Sequence, residues 1–171
     1  EKITPAGLYN SVFGYQSGKE LTTGSSNSII GYKAGQNITI GVQNVLLGHE
    51  AGVETSTGSY NTALGSSVLH SNIGGGYNVA VGYKAMYTNS TGNYNTSTGS
   101  YALYNNTIGS YNTALGYSAI AANVDGESNT ALGAWALKSN VTGAGNTTAG
   151  SESMNYNVSG HSNSAYGHRS L

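Results

Sequence analysis

The chain repeats one short pattern ten times, and each copy begins 17 positions after the previous one. Asn opens each copy and Gly follows four places later, so we number the Asn as column 0 and this Gly as column 4. The Asn positions are Asn10, Asn27, Asn44, Asn61, Asn78, Asn95, Asn112, Asn129, Asn146 and Asn163. The column 4 positions are Gly14, Gly31, Gly48, Gly65, Gly82, Gly99, Gly116, Gly133, Gly150 and Gly167. A second Gly series occupies column 14, and no insertion or deletion interrupts the register.

This register decides between disorder and a repeat fold. Charged residues are only 8% of the chain and Gly supplies 26 of 171 residues, a composition that disordered segments also have. Disorder does not need a fixed period, and a repeat this short cannot hold the helix pair of the known helical repeats, which need about 33 residues. Apolar runs of three or four residues favour short strands. The sequence therefore predicts an all-β fold, a parallel β-solenoid (β-roll) of ten 17-residue coils.

The columns predict the course of each coil. We expect a first strand over columns 0 to 3, a turn at the column 4 Gly, a second strand over columns 6 to 9, and a polar return through the column 14 Gly. Charged residues avoid columns 0 to 4 and occur in columns 6, 9 and 10. Columns 0 to 4 are therefore expected to be buried and the other three to face water. Residues 10–171 form one repeat domain, and residues 1–9 are the end of a preceding incomplete coil.

The repeated Asn predicts a hydrogen-bonded ladder. Identical Asn side chains stacked from coil to coil can satisfy one another, which a buried amide requires. The ten Asn residues are therefore structural candidates, and the column 4 glycines are candidate turn residues.

The interior of such a coil is thin, which predicts association with other chains. Columns 2 and 3 are both largely apolar, yet adjacent strand residues point to opposite faces. One column must face the lumen, and the other is expected to face a second chain, most simply in a homotrimer. A monomer that covers this face with its own loop is the alternative. Both ends stop within a coil, which favours a piece of a longer fibre or end-to-end polymerisation.

Composition and spacing give little reason to expect catalysis or cofactors. The formal net charge is -1 and the basic residues are scattered, so neither nucleic acid nor membrane insertion is predicted. Cys is absent, and the shared column of His49 and His168 places them seven coils apart, too far for one metal. Asp125 and Glu127 favour a solvated turn over a weak cation site. We expect a non-enzymatic protein without a cofactor or metal.

Aromatic side chains are the best candidates for recognition. Four consecutive coils carry Tyr in column 16, and column 6 carries one Tyr and the single Trp of the chain. A stacked Tyr column that merely stabilises the rod is one interpretation, and an aromatic strip that binds sugar rings is the other. The candidate glycan contacts are Tyr60, Tyr77, Tyr94, Tyr111, Tyr101 and Trp135.

The repeat words resemble those of known fibres. NSVFG, NTALG, NVAVG and NSAYG resemble the NSVAIG-type repeats in the heads of trimeric autotransporter adhesins. The longer GSYNTALGYSAI is similar to repeat arrays in bacteriophage tail fibres and in fibres of large algal viruses. The adhesin heads form a trimeric left-handed parallel β-roll. The resemblance implies an extracellular location, on a virion fibre or a cell surface. The aromatic strip adds a host surface polysaccharide as a candidate partner.

Three functions follow as hypotheses. The leading one is a non-enzymatic extracellular fibre module for attachment to a host or surface. The first alternative is a self-assembling structural filament whose coils stack end to end. The second is ice binding, because column 1 is Ser or Thr in eight of ten coils. Against ice binding, no second rank of Thr accompanies this column.

Overall fold

The computed structural model describes residues 7 to 171 and contains one three-residue strand in every coil. The strands are β1 (Ser11–Phe13), β2 (Ser28–Ile30), β3 (Val45–Leu47), β4 (Thr62–Leu64), β5 (Val79–Val81), β6 (Thr96–Thr98), β7 (Thr113–Leu115), β8 (Thr130–Leu132), β9 (Thr147–Ala149) and β10 (Ser164–Tyr166). They pair in parallel and in chain order. Each residue lies beside its counterpart in the next coil, as Ser11 does beside Ser28. The incomplete coil expected at residues 1–9 lies mostly outside the described residues.

The predicted all-β parallel solenoid with a 17-residue coil is confirmed, but the second strand is wrong. Columns 5 to 10 form a run of turns in each complete coil. The reason is the backbone of columns 6 and 8, which is left-handed at residues other than Gly, as in Lys84 (φ 54°) and Met86 (φ 49°). A left-handed residue at every second position cannot continue a strand. The described coils therefore share one sheet, of ten strands, and their turns add further hydrogen bonds between coils, such as the one from the Lys33 N–H to the Tyr15 carbonyl at 2.8 Å.

The interior is filled mainly from columns 2, 7 and 8. The side chains of column 7 are Ala, Ser or Val in every coil. Columns 2 and 8 fill the remaining space in one of two arrangements. In the first three coils column 2 is large and column 8 is Gly, as with Leu46 and Gly52. From the fourth coil onward column 2 is small and column 8 is large, as with Ala114 and Ile120, both fully buried. The total volume inside a coil is therefore similar in both types.

The column 0 Asn side chains connect successive coils. The Oδ1 of each accepts a hydrogen bond from the backbone N–H of the next Asn, as between Asn78 and Asn95 at 3.0 Å. The Nδ2 of Asn95 donates to the carbonyl of Gly109, in column 14, at 2.9 Å. These side chains are buried from Asn27 to Asn146. Each Asn thus closes its own coil and fixes the start of the next strand.

A second Asn series in column 11 supports the same carbonyls. It comprises Asn72, Asn89, Asn106, Asn123, Asn140 and Asn157. The Nδ2 of Asn89 donates to Oδ1 of Asn72 at 2.8 Å and to the carbonyl of Gly92 at 3.0 Å. In the first three coils column 11 is Leu, Ile and Thr, which accompany the Gly of column 8. The change of core type therefore adds a second hydrogen-bonded column.

The outer face of the sheet is less buried than expected. Only columns 0 and 2 of the first strand are buried through the central coils, and columns 1 and 3 lie on the outside. The expected burial of all of columns 0 to 4 is therefore wrong, because neighbouring strand residues alternate between the two faces. The sequence also predicts that one of columns 2 and 3 faces the lumen and the other faces outward. This prediction is confirmed, and column 3 is the outward one. Columns 6, 9 and 10 are mostly half-buried or exposed, but Ser67, Ser118 and Val53 are buried.

Candidate functional site: the aromatic surface

The column 16 tyrosines stack on one another along the rod. Ring centroids lie 4.6 Å apart for Tyr60 and Tyr77, 4.9 Å for Tyr77 and Tyr94, and 5.1 Å for Tyr94 and Tyr111. The rings are within 8° of parallel. Stacking covers the inner ring faces and leaves the edges and hydroxyls in solvent. A sugar ring packs on an aromatic face, so this ladder offers few faces for that contact.

A second stacked column ends abruptly in the sixth coil. In column 9, His70 stacks on Tyr87 at 4.9 Å and Tyr87 stacks on Tyr104 at 5.4 Å. The next residue of the column is Ala121. No column 9 ring therefore stacks on the side of Tyr104 that faces the seventh coil.

Around this end lies a cluster of rings that meet edge to face. Tyr101 makes T-shaped contacts with Tyr83, Tyr104 and Tyr117, at centroid distances of 5.4, 5.6 and 6.0 Å. Tyr117 makes another with Trp135 at 5.6 Å. A T-shaped pair covers at most one face of one ring, whereas a stacked pair covers a face of each. The rings of this cluster are therefore less covered by stacking, although Tyr101 and Tyr104 are half-buried whereas the tyrosines of the column 16 ladder are exposed.

The cluster borders a depression of about 400 Å³, which we call the notch. Its aromatic walls are Tyr101, Tyr104 and Tyr117. Ser118, Ala121 and Ala122 of the seventh coil supply its small residues, and Asn105, Lys138 and Ser139 complete the lining. The notch exists because the seventh coil has small side chains in columns 6 and 9, where both neighbouring coils carry bulkier ones. A smaller depression of about 240 Å³ adjoins it through Lys138 and includes Trp135.

The charged groups near these rings are at the surface. The Lys84 ammonium lies 5.3 Å from the Tyr83 ring centroid and 5.2 Å from that of Tyr87. A hydrogen bond with Tyr83 raises the pKa of Lys84, so this cation remains charged at neutral pH. Desolvation raises the pKa of Tyr101, so its phenol remains protonated there. The notch thus contains a neutral hydroxyl that can donate and accept hydrogen bonds.

A carboxylate–guanidinium pair lies farther along the rod. The Arg169 Nε donates to Glu152 Oε2 at 2.8 Å, and this contact lowers the pKa of the carboxyl. Glu152 lines the smaller depression together with Lys138. Because Arg169 already neutralises Glu152, the charge of Lys138 is not balanced by that carboxylate.

The sequence-predicted aromatic residues divide between two surfaces. Tyr60, Tyr77, Tyr94 and Tyr111 form one ladder, and Tyr101 and Trp135 belong to the edge-to-face cluster. Sequence reasoning missed Tyr117, which bridges Tyr101 and Trp135, and Tyr104. The available sign was the loss of bulk in the seventh coil, where column 9 changes from Tyr to Ala. The column 11 Asn series was also missed, although its period was visible from Asn72 onward.

Two other kinds of site are absent from the described residues. No group of three or more His, Asp or Glu side chains in residues 7 to 171 is arranged to hold a metal ion. Over the same range, no helix is long and apolar enough to cross a membrane.

Comparison of the chain with protein-family models finds no match, and comparisons with curated proteins and with solved structures find none either.

Proposed function

We propose that the chain is a non-enzymatic extracellular fibre module that assembles with copies of itself and attaches to a surface polysaccharide of a host. The observation that carries this proposal is an apolar strip along the outer face of the sheet. Column 3 forms it, with nine apolar or aromatic residues interrupted by Thr98. We call it the outer apolar strip; its members are Phe13, Ile30, Leu47, Leu64, Val81, Leu115, Leu132, Ala149 and Tyr166.

The outer apolar strip is exposed or half-buried along the rod. Phe13 and Tyr166, near the two ends, are 76% and 69% exposed, and Leu115 and Leu132 in the central part are each 39% exposed. A continuous exposed apolar surface is typical of a protein–protein interface. The same residue types recur in every coil, so parallel copies can bring equal columns together over their whole length. The resemblance to trimeric fibres favours three copies, and a multivalent rod can add up weak contacts with a surface.

The first experiment is the solution mass of the purified chain, by light scattering at several concentrations. We expect a stable trimer, and the double variant Leu115→Lys/Leu132→Lys should dissociate it because charges would be buried at the interface. The matched control is Ser71→Lys/Asn105→Lys, which adds the same charge in column 10. A monomeric wild-type protein would contradict the proposed assembly, and an open concentration-dependent polymer would favour the filament alternative.

Attachment is tested separately by retention of the same protein on an array of immobilised polysaccharides. We expect retention by a subset of the array. A protein that is retained by none would contradict the attachment role even if its mass is that of a trimer.

Ice binding is the second candidate, and the position of column 1 supports it. Its Ser and Thr residues lie beside the outer apolar strip on an in-register sheet, at a rung spacing of about 4.8 Å. Thermal hysteresis of the freezing point distinguishes this candidate. A marked hysteresis that is lost in the double variant Thr113→Tyr/Thr130→Tyr would support ice binding and contradict the fibre proposal.

A further inference from the structure

We infer that the notch binds a pyranose ring of an acidic polysaccharide. This inference rests on the proposed attachment function and assigns that function to one place on the rod. Its starting point is the interrupted column 9 stack. His70, Tyr87 and Tyr104 stack in order, and Ala121 then takes the place of a ring.

The shape and surface of the notch fit a sugar ring. Its volume of about 400 Å³ lies in the range of about 300–1,000 Å³ for small-molecule sites. Tyr104 lines the notch and has no stacked ring on its seventh-coil side, so it can offer a flat apolar surface to the C–H groups of a pyranose. Tyr101 and Tyr117 stand beside it at steep angles to each other, with ring planes 80° apart. The site therefore combines one stacking surface with side walls.

Polar groups that can pair with sugar hydroxyls line the notch together with these rings. The Tyr101 phenol can donate and accept, and Asn105 contributes both an amide donor and a carbonyl acceptor. Ser118 and Ser139 add hydroxyls to the same lining. A small number of polar groups in a mainly apolar depression is typical of sites that orient a ligand.

Lys138 favours an acidic sugar over a neutral one. It is the one charged residue that lines the notch, and its side chain is exposed. The nearest carboxylate along the adjoining depression, Glu152, is engaged by Arg169. A uronate carboxylate at the notch would therefore meet an ammonium group without an acidic competitor in the lining. Increasing salt should weaken such a contact.

The single tryptophan makes binding directly observable. Trp135 packs edge to face with Tyr117, a wall of the notch, and no other Trp contributes to the emission. The probes are the hexamers of galacturonic acid and of mannuronic acid, with the glucose hexamer maltohexaose as the neutral comparison. We expect at least one acidic hexamer to change Trp135 fluorescence saturably, and maltohexaose to bind about tenfold more weakly.

The decisive variant is Ala121→Tyr, which fills the gap. Column 9 already holds Tyr87 and Tyr104 on the same backbone, so the new ring can continue their stack without disturbing the coil. The matched control is Ser128→Tyr, which extends the column 16 ladder beyond Tyr111 by the same kind of step and does not line the notch. We expect Ala121→Tyr to weaken binding at least about tenfold and Ser128→Tyr to leave it unchanged.

The outcomes separate this inference from the proposed function. Equal retention of the wild type and Ala121→Tyr on the polysaccharide array would contradict sugar binding at the notch but would leave the proposed attachment function intact. Absence of any fluorescence response to both acidic hexamers would overturn the inference, and so would equal binding of maltohexaose. A monomer that the array does not retain would refute the proposed function itself.

Discussion

Asn95 illustrates why a polar residue can recur in column 0 of every coil although that column is buried. Its Oδ1 accepts the backbone N–H of Asn112 at 2.9 Å, and its Nδ2 donates to the carbonyl of Gly109. The side chain is fully buried, yet its donor and acceptor are both used. A leucine of similar size could fill the same space but could not satisfy the neighbouring backbone. The cost of a polar interior is thus offset within each coil.

Replacing this residue tests the argument directly. Asn95→Leu leaves the buried N–H of Asn112 without its acceptor, so we expect a loss of about 2–4 kcal/mol in the free energy of unfolding. Urea denaturation followed by circular dichroism measures it. The control is Ser97→Ala in the same coil, because Ser97 Oγ is buried without a hydrogen-bond partner among the described residues. Ala occupies the same column in both adjacent coils, so this variant should be neutral or more stable. Equal losses in the two variants would contradict the role of the ladder.

At the scale of the elements, the column 4 Gly is required by the adjacent coil as well as by its own backbone. Gly116 has φ 141°, and a Cβ there would lie 2.5 Å from the carbonyl carbon and oxygen of Gly133. Gly167 has φ 108° in the same column, but a Cβ there would meet nothing within 4 Å. A substitution at Gly167 therefore tests backbone strain alone, whereas one at Gly116 tests backbone strain together with the close approach of the next coil.

Alanine at these two glycines should have very different costs. We expect Gly167→Ala to lose about 1 kcal/mol, from the left-handed backbone alone. Gly116→Ala should lose at least about 3 kcal/mol, because two rigid backbones would have to separate. Thermal and urea unfolding of both variants provides the comparison. Similar losses would mean that the strain of the turn, rather than the packing of coils, explains the repeated Gly.

The exchange of volume between columns 2 and 8 predicts coupling between them. Ala114→Leu alone should destabilise by about 1–3 kcal/mol, because Ile120 already fills that part of the lumen. Ile120→Gly alone should leave a cavity. The double variant copies columns 2 and 8 of the first core type, in which Leu46 accompanies Gly52, so the losses should cancel in part. A double-mutant cycle measures the coupling, expected at about 1–3 kcal/mol, and additive losses would contradict the shared lumen.

The period of the sequence was sufficient to predict the solenoid, the coil length and the opposite facing of columns 2 and 3, but the charge pattern wrongly indicated that all of columns 0 to 4 are buried. It did not reveal the turns that follow the strand. The backbone is left-handed at Lys84 in column 6 and at Met86 in column 8. Neither Lys nor Met favours this conformation, so the residue types did not indicate it. The sequence carried one sign of the notch, the change of column 9 from Tyr104 to Ala121, but this change indicates a depression only once the coils are stacked. Stacking in three dimensions, rather than local preference, determines both features.

At the scale of the whole molecule, the rod is held together by contacts between adjacent coils. Within residues 7 to 171, each strand contacts only the strands before and after it in the sheet. Stability is then close to a sum of coil and interface contributions. This explains why the period never varies: one extra residue would shift every later column by one place. Inward residues would then face outward, and the Asn ladder would lose its partner.

Deleting one coil tests this property of the rod. Removal of residues 112–128 takes out one whole coil and joins Tyr111 in column 16 to Asn129 in column 0, so every remaining contact is re-formed. We expect the same circular dichroism spectrum, cooperative unfolding, and a urea m-value lower by about a tenth, since less surface is exposed on unfolding.

The control removes only residues 113–128 and leaves Asn129 in column 1. That shift turns the small side chains of column 2 outward and the polar side chains of column 1 inward, and it puts Leu132 in the place of a turn Gly. The shorter deletion, although it removes less of the chain, should therefore unfold or lose cooperativity. Tolerance of both deletions would mean that the coils do not depend on their register.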